Sequence, residues 1–264
     1  MTWNYTGQTA LVTGASSGIG KAFAEQLART GCHLILVARS RDRLEQLAYE
    51  LKTSYGVEVH VITADLADPT SVDHLAKELT DRQLTIDILV NNAGFGTMGA
   101  FHQLSPERLM QEIQLNVASL TALTHLCLGP MLVSSRGVVI NVASMTAFQP
   151  APYMAVYGAT KAYVLSFTEA LWAEYQSRGV RIVALCPGET KSSFHTVSGT
   201  DELTSKRMEP EDVVHAAFQA VDRNKSNKIV GVRNYIMAQL PRLLPRTIVL
   251  QVVGSMFRPL LKKI

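Results

Sequence analysis

Thr9-Ala10-Leu11-Val12-Thr13-Gly14-Ala15-Ser16-Ser17-Gly18-Ile19-Gly20 is the stretch on which the reading of this chain turns. Thr9–Val12 reads as a short buried strand, and a helical pattern begins near Gly18. Between them lies a turn of Gly, Ser and Thr. Glycines in such a turn let an anionic group approach the main chain, and the helix after it points its first N–H groups and positive dipole end at that anion. The spacing of Gly14, Gly18 and Gly20 is GxxxGxG, wider at its start than the GxGxxG dinucleotide fingerprint. A ligand-free Gly/Ser loop would have the same composition; the strand before it and the helix after it favour a phosphate site.

Outward from this turn the alternation continues. Strands are expected at Thr9–Val12, His33–Ala38, Val57–Thr63, Ile86–Asn91, Gly137–Val142, Val180–Cys186 and Lys228–Val230. These runs are rich in Val, Ile and Leu and almost unbroken in apolarity, as in strands buried on both faces. Helical patterns fall near 18–30, 41–54, 70–82, 105–133, 154–178 and 210–222. The spacing predicts an α/β fold: a Rossmann-like, doubly wound parallel sheet of about seven strands with helices on both faces. With 264 residues, 47% of them hydrophobic, the chain can bury one substantial core. One domain is expected over 1–231, including a polar segment at 188–209 long enough to act as a substrate lid. A partly apolar helical tail occupies 232–264.

Composition excludes several classes. A net charge of +3 is too small for an obligate nucleic-acid binder. Cys32, Cys127 and Cys186 are widely spaced, and no Cys/His cluster accompanies them, so neither a disulfide framework nor a metal site is expected. The opening MTWNYTGQTA has no apolar signal region, and no window reads as a membrane span, so a cytoplasmic protein is expected. The charge is uneven, however. No acid comes after Asp222, whereas nine bases do, so the last 42 residues carry +9 and the first 222 carry −6. That asymmetry prompts a search for an anionic partner of the tail.

Chemistry-bearing residues gather at the ends of the expected strands. After the second strand, Ala38 stands where an acid would hold a ribose 2′-hydroxyl, and Arg39 suits a 2′-phosphate through its planar fork. Arg41 and Arg43 come next, the latter expected on a solvated helix face. Tyr157 and Lys161 are four apart and share one helix face, where an ammonium would lower the tyrosine pKa and make Tyr157 a general acid or base. Ser144 lies just past the Gly137–Val142 strand, where its hydroxyl can donate to a carbonyl oxygen. Asn91 and Asn92 reach the same sheet edge, although Asn91–Gly94 is also plain turn chemistry. Asn116 lies mid-helix, either as an exposed polar residue or as one that holds a backbone distortion.

Taken jointly, TGASSGIG at 13–20, Asp65-Leu66, NNAG at 91–94, Asn116, Ser144, Tyr157-Gly158-Ala159-Thr160-Lys161 and Pro187-Gly188 resemble the short-chain dehydrogenase/reductase family in its compact single-domain form. The resemblance runs from about Gly7 to Val230. It implies an NAD(P)-dependent oxidoreductase with an Asn116–Ser144–Tyr157–Lys161 catalytic tetrad. It further implies that Gly14, Ser16, Ser17, Gly18, Ile19 and Gly20 bind the cofactor, that Asp65 contacts the adenine and Asn91 lies beside the adenosine ribose, and that Leu66, Ala93 and Gly94 are cofactor-binding too. By the same resemblance Lys161 bonds the nicotinamide ribose, and Asn116 supports a proton-relay water. Pro187, Gly188, Thr190 and Ser192 would border the nicotinamide, with Ser192 where the family usually has Thr. Arg39 turns the expected cofactor toward NADP, with NADPH favoured over NADH.

The substrate is less legible. Phe95, Met98, Met145, Phe148, Pro150, Pro152 and Met154 suggest an apolar pocket for a lipophilic carbonyl or alcohol, though each also reads as ordinary packing. The nearest resemblance within the family is to ketoacyl and 3-hydroxyacyl reductases and their steroid-acting relatives. In the tail, Ile248, Val249, Val252, Val253, Met256 and Phe257 recur at helical spacing after Pro245. That face can pack on the domain or a second subunit of a homo-oligomer, or lie on a membrane with Arg242, Arg246, Lys262 and Lys263 at the headgroups. An acidic acyl carrier protein is a third partner for the charge. The alternative function is a dinucleotide-binding, membrane-surface protein with secondary or no turnover.

Overall fold

The computed structural model describes residues 2–192, 194, 198 and 207–258, with the side chain of Met256 outside that set. Lys262, Lys263 and most of the segment between 193 and 206 therefore lie outside the described residues. Seven strands form one sheet: β1 (Thr9–Thr13), β2 (His33–Ala38), β3 (Val59–Thr63), β4 (Ile88–Asn91), β5 (Gly137–Val142), β6 (Val180–Cys186) and β7 (Asn227–Ile229). Their order is β3-β2-β1-β4-β5-β6-β7 and every pairing is parallel. The order reverses between β1 and β4, and ligands of such sheets bind beyond the strand ends at that switch point.

Alternation along the strands divides the core. Ala10, Val12, Leu34, Leu36, Ile88 and Val90 face α1 (Gly18–Arg29), α2 (Arg41–Tyr55) and α7 (Pro210–Asp222). Leu11, Ile35, Val37, Leu89 and Val139 face α3 (Ser71–Asp81), α5 (Leu120–Val133) and the end of α6 (Ala155–Tyr175). Each fully buried leucine contributes about 1.5–3 kcal/mol, so both layers hold the sheet. Cys32, Cys127 and Cys186 are buried free thiols.

The helix expected over 105–133 is not uniform. It runs as α4 (Pro106–Ile113), a π turn (Gln114–Ser119) and then α5. A π turn adds a residue to the helical repeat and re-aims the helix beyond it, commonly at a functional site. Pro106–Val133 is the one stretch among the described residues long and apolar enough to cross a membrane, but its apolar side packs on the sheet through Leu123, Cys127 and Met131.

α8 (Val232–Gln239) and α9 (Arg246–Phe257) fold back over the carboxyl edge of the sheet. Asn234 of α8 abuts Gly188, where a β-carbon would meet its Nδ2 at 2.3 Å. Val249 and Val253 of α9 are buried, and Phe257 packs against a cluster of Met98, Ala151, Met154 and Tyr157.

Candidate active site

One cavity of about 1230 Å³ occupies the carboxyl edge of the sheet at the switch point. Its floor begins with the glycine turn. Gly14 N donates to Val37 O at 2.8 Å, and Gly14, Ser16, Ser17 and Ile19 line the cavity. Gly20 does not line it, yet no other residue fits there: a β-carbon would sit 2.3 Å from Gly14 O. Gly18 is also outside the lining and lies against Ser192, the residue opposite the turn.

The far end of this half is basic. Arg39 is exposed and lines the cavity. Arg43, exposed on the first turn of α2 as expected, lines it too. Arg41 is instead tied to Glu45 at 2.7 Å. Asp65 and Leu66 form the next wall. Ala93 and Gly94 continue it, but the side chain of Asn91 turns away from the cavity. Its Nδ2 donates to Asn141 Oδ1 at 2.9 Å and to Thr124 Oγ1 at 3.0 Å, beneath the sheet edge. Asn92 faces the other way and lines the cavity, donating to Thr13 O at 2.9 Å. Asn91 still ends β4 at the cavity edge, and its side chain is directed the other way from that of Asn92 because successive strand residues point to opposite faces.

The four expected catalytic residues converge from separate elements. Asn116 sits in the π turn and is buried; its Nδ2 donates to Phe95 O at 2.9 Å and to Thr160 Oγ1 at 3.1 Å, while its Oδ1 accepts from Phe95 N at 3.2 Å. It holds the distortion against α6 and does not itself line the cavity. Ser144 begins a short 3-10 turn (Met145–Phe148), and its hydroxyl accepts from Thr146 N at 3.2 Å. Tyr157 and Lys161, on α6, are buried yet line the cavity. Lys161 Nζ donates to Val142 O at 2.7 Å and lies 5.8 Å from the Tyr157 ring centroid. Gly94 makes room here, since a β-carbon would meet Asn116 Oδ1 at 2.9 Å.

The electrostatics correct one expectation. The net shift of Tyr157 is upward, opposite to the lowering expected beside Lys161. Burial pushes Tyr157 up to about 12, with the neighbouring Ser144 hydroxyl pulling the other way and the Glu112 charge adding to the rise. Burial likewise brings Lys161 down to about 8. A phenolate deprived of water is costly, and burial is the largest cause of the rise. The phenol is therefore held protonated through neutral pH, ready to give a proton.

Glu112 is a residue that sequence reasoning missed. It lies on α4, one turn before Asn116, and is fully buried with neither carboxylate oxygen hydrogen-bonded. Burial raises its pKa; Thr97 beside it, Arg108 and Lys161 oppose the rise. A lone Glu among polar helix positions reads as solvated, and no local signal marks it otherwise.

Beyond Tyr157 the cavity turns apolar. Phe95, Met145, Ala151 and Met154 line it, and Phe194 sits with its ring centroid 5.2 Å from that of Tyr157. Met98 is packed behind that wall, Phe148 packs into a separate cluster near α6, and Pro150 and Pro152 do not line the cavity. The tail supplies the opposite wall through Leu240, Leu244, Val249, Val252, Val253 and Phe257. Pro187, Gly188, Thr190 and Ser192 border both halves. The ends of the polar segment are tied together: Lys191 N donates to Met208 O at 3.0 Å, Met208 N donates to Glu189 O at 2.9 Å, and Lys191 pairs with Glu209.

The profile of the short chain dehydrogenase family matches residues 8–203. The chain belongs to the short-chain dehydrogenase family. It is an oxidoreductase with the parallel sheet of that family. It is similar to hydroxysteroid dehydrogenase-like protein 1 of Gallus gallus, 39% identical over 76% of this chain and 60% of the relative, so it spans less than two thirds of that protein. It is similar to the very-long-chain 3-oxoacyl-CoA reductase of Homo sapiens, 31% identical over 97% of this chain and 83% of the relative. A short-chain dehydrogenase from Sphingobium yanoikuyae solved in complex with NADPH superposes with a TM-score of 0.82 at 35% identity, covering 89% of this chain and 92% of that one.

Proposed function

We propose that this oxidoreductase uses NADP(H) to interconvert a lipophilic carbonyl and its secondary alcohol, of ketoacyl, 3-hydroxy acid or steroid-like type. One observation carries the reading: a single cavity joins a polar half ending at Arg39 and Arg43 to an apolar half walled by Met154, Phe194 and α9, with Ser144, Tyr157 and Lys161 between them. The residues present suit a dinucleotide. Ser16, Ser17 and Ile19 would hold its pyrophosphate at the start of α1, Asp65 and Leu66 its adenine, and Thr190 and Ser192 its amide. Arg39, with Arg43 beside it, would take the 2′-phosphate.

The nicotinamide, when bound, would supply the hydride. Ser144 donates to the substrate oxygen as charge develops there, and Tyr157 gives its phenolic proton to the same oxygen. Lys161 would steady the ribose and the charge left on Tyr157, while Asn116 holds the π turn that aligns α6. The apolar wall excludes water and positions the substrate's hydrocarbon. Three buried free thiols suit a reducing cytoplasm. The reading includes a homo-oligomer, to be measured by sedimentation equilibrium.

The test is turnover of carbonyl compounds of graded chain length, with NADPH and NADH side by side. Rising kcat/KM with chain length supports the reading, whereas turnover confined to small polar carbonyls sinks it. Arg39→Ala is expected to weaken NADPH binding by roughly 10- to 150-fold, the range for a hydrogen bond to a charged group. NADH binding should hardly change; equal losses for both would show that Arg39 does not read the phosphate.

Lys161 and Glu112 together give the reaction a pH dependence. With Lys161 at about 8 in the cofactor-free enzyme, its ammonium persists below that pH and is lost above it. Reductive kcat/KM, which reports the free enzyme, should therefore fall on the alkaline side near pH 8. The Glu112 charge supports the protonated forms of both Lys161 and Tyr157. Glu112→Gln should move that alkaline fall to lower pH. An unchanged profile in the variant would show that Glu112 exerts no charge on the site.

A further inference from the structure

The described molecule leaves seventeen large apolar side chains exposed, and ten of them fall between Val232 and Val252. They include Val232 at 79% exposure and Leu243 at 81%. Exposed apolar side chains concentrated in one stretch of chain point to an interaction surface, whereas scattered ones elsewhere need no explanation. Arg233, Arg242, Arg246 and Arg258 are exposed on the same two helices and their turn, and none makes an ion pair among the described residues. The sequence places no acid anywhere after Asp222.

The patch is also the lip of the catalytic cavity. Met237, Leu240, Leu244 and Val252 are each exposed and line the cavity, so its apolar wall reaches the outer surface. On α9 the inward side is Val249 and Val253, and the outward side carries Ile248, Leu250 and Val252. Neither helix can cross a bilayer: α9 has twelve residues, about 18 Å against a hydrocarbon core of about 30 Å.

We infer that α8, the turn after it and α9 dock on the surface of an anionic phospholipid bilayer, and that the cavity opens there so that lipophilic substrate reaches Tyr157 from the lipid. The exposed apolar side chains enter the headgroup–acyl boundary and the arginines meet lipid phosphates. A second copy of the chain suits the patch less well. A two-fold contact would set two tails of like charge against each other without an acid between them. An acidic protein would answer the arginines and leave the ten apolar side chains without a matching partner. The lateral route rests on the proposed lipophilic substrate; the docking does not.

The experiment is cosedimentation of the full-length protein with phosphatidylcholine vesicles, alone or mixed with phosphatidylserine, at low and high salt. Wild type should pellet with the mixed vesicles and be partly released by salt. Leu243 and Leu250 are exposed and do not line the cavity, so the double variant L243E/L250E should stay in the supernatant. Its kcat/KM on a short water-soluble carbonyl should remain within about twofold of wild type, which also reports its folding. Arg242→Glu with Arg246→Glu should lose binding to the mixed vesicles as well, keeping the test valid if the first variant fails to fold. Wild type remaining in the supernatant under all conditions overturns the inference. So does L243E/L250E converting a dimer to a monomer in sedimentation velocity without affecting vesicle binding. Binding of an acidic acyl carrier protein, with no vesicle binding, overturns it in favour of that partner. Vesicle binding with no turnover of any carbonyl leaves the docking standing and defeats the reading of the site.

Discussion

Tyr157→Phe is expected to lower turnover by at least about 10²–10⁴-fold, the usual worth of a general acid–base group, while cofactor binding stays nearly intact. The substitution removes one oxygen and the proton that must move. The ring remains, packed against Phe194 and the Met154 cluster, so the cavity keeps its shape. The phenol is held protonated by burial, which suits it as the acid in carbonyl reduction. Steady-state kinetics with calorimetric titration of NADPH on the same preparation make the check. A variant with near-normal kcat would remove Tyr157 from the chemistry, because no other phenol lines the cavity among the described residues.

Lys161→Ala should fail in a second way. Turnover should drop by a similar order, about 10²–10⁴-fold, and the cofactor should also bind more weakly, by roughly 10- to 150-fold. The two losses go together because Lys161 is assigned both to the ribose and to the charge on Tyr157. Its ammonium is the one held beside Tyr157 at the end of β5, whereas Arg108 is stacked 4.3 Å over the Phe95 ring. Titration of NADPH into Tyr157→Phe and Lys161→Ala in parallel separates the roles. Lost turnover with unchanged cofactor affinity in Lys161→Ala would confine the lysine to the proton-transfer side.

Much of this architecture is legible in the chain itself. Strands buried on both faces carry continuous apolar runs, so the inner strands announce themselves locally, with shifts of one or two residues at β1, β3, β4 and the short, half-exposed β7. The glycine turn is legible because its meaning comes from its neighbours in sequence, a strand and a helix. Ser144, Tyr157 and Lys161 are legible because sheet topology brings strand ends together, and a helical repeat of four keeps Tyr157 and Lys161 on one face.

What the sequence could not decide depends on contacts between distant segments. Asn91 and Asn92 look alike in the chain, yet the pleat of β4 sends one under the sheet and the other into the cavity. Glu112 resembles any acid on an amphipathic helix until α4 packs it out of water, where it acts on Lys161 and Tyr157. The pKa of Tyr157 turns on how completely its ring is enclosed, and part of that enclosure is Phe257, a hundred residues further along the chain. The periodicity of the tail specified an apolar helix face but not what it would cover, since a domain, a second subunit and a bilayer all ask for the same spacing. Tertiary structure divided that face. Val249, Val252 and Val253 line the cavity, and Ile248 and Leu250 were left on the outside.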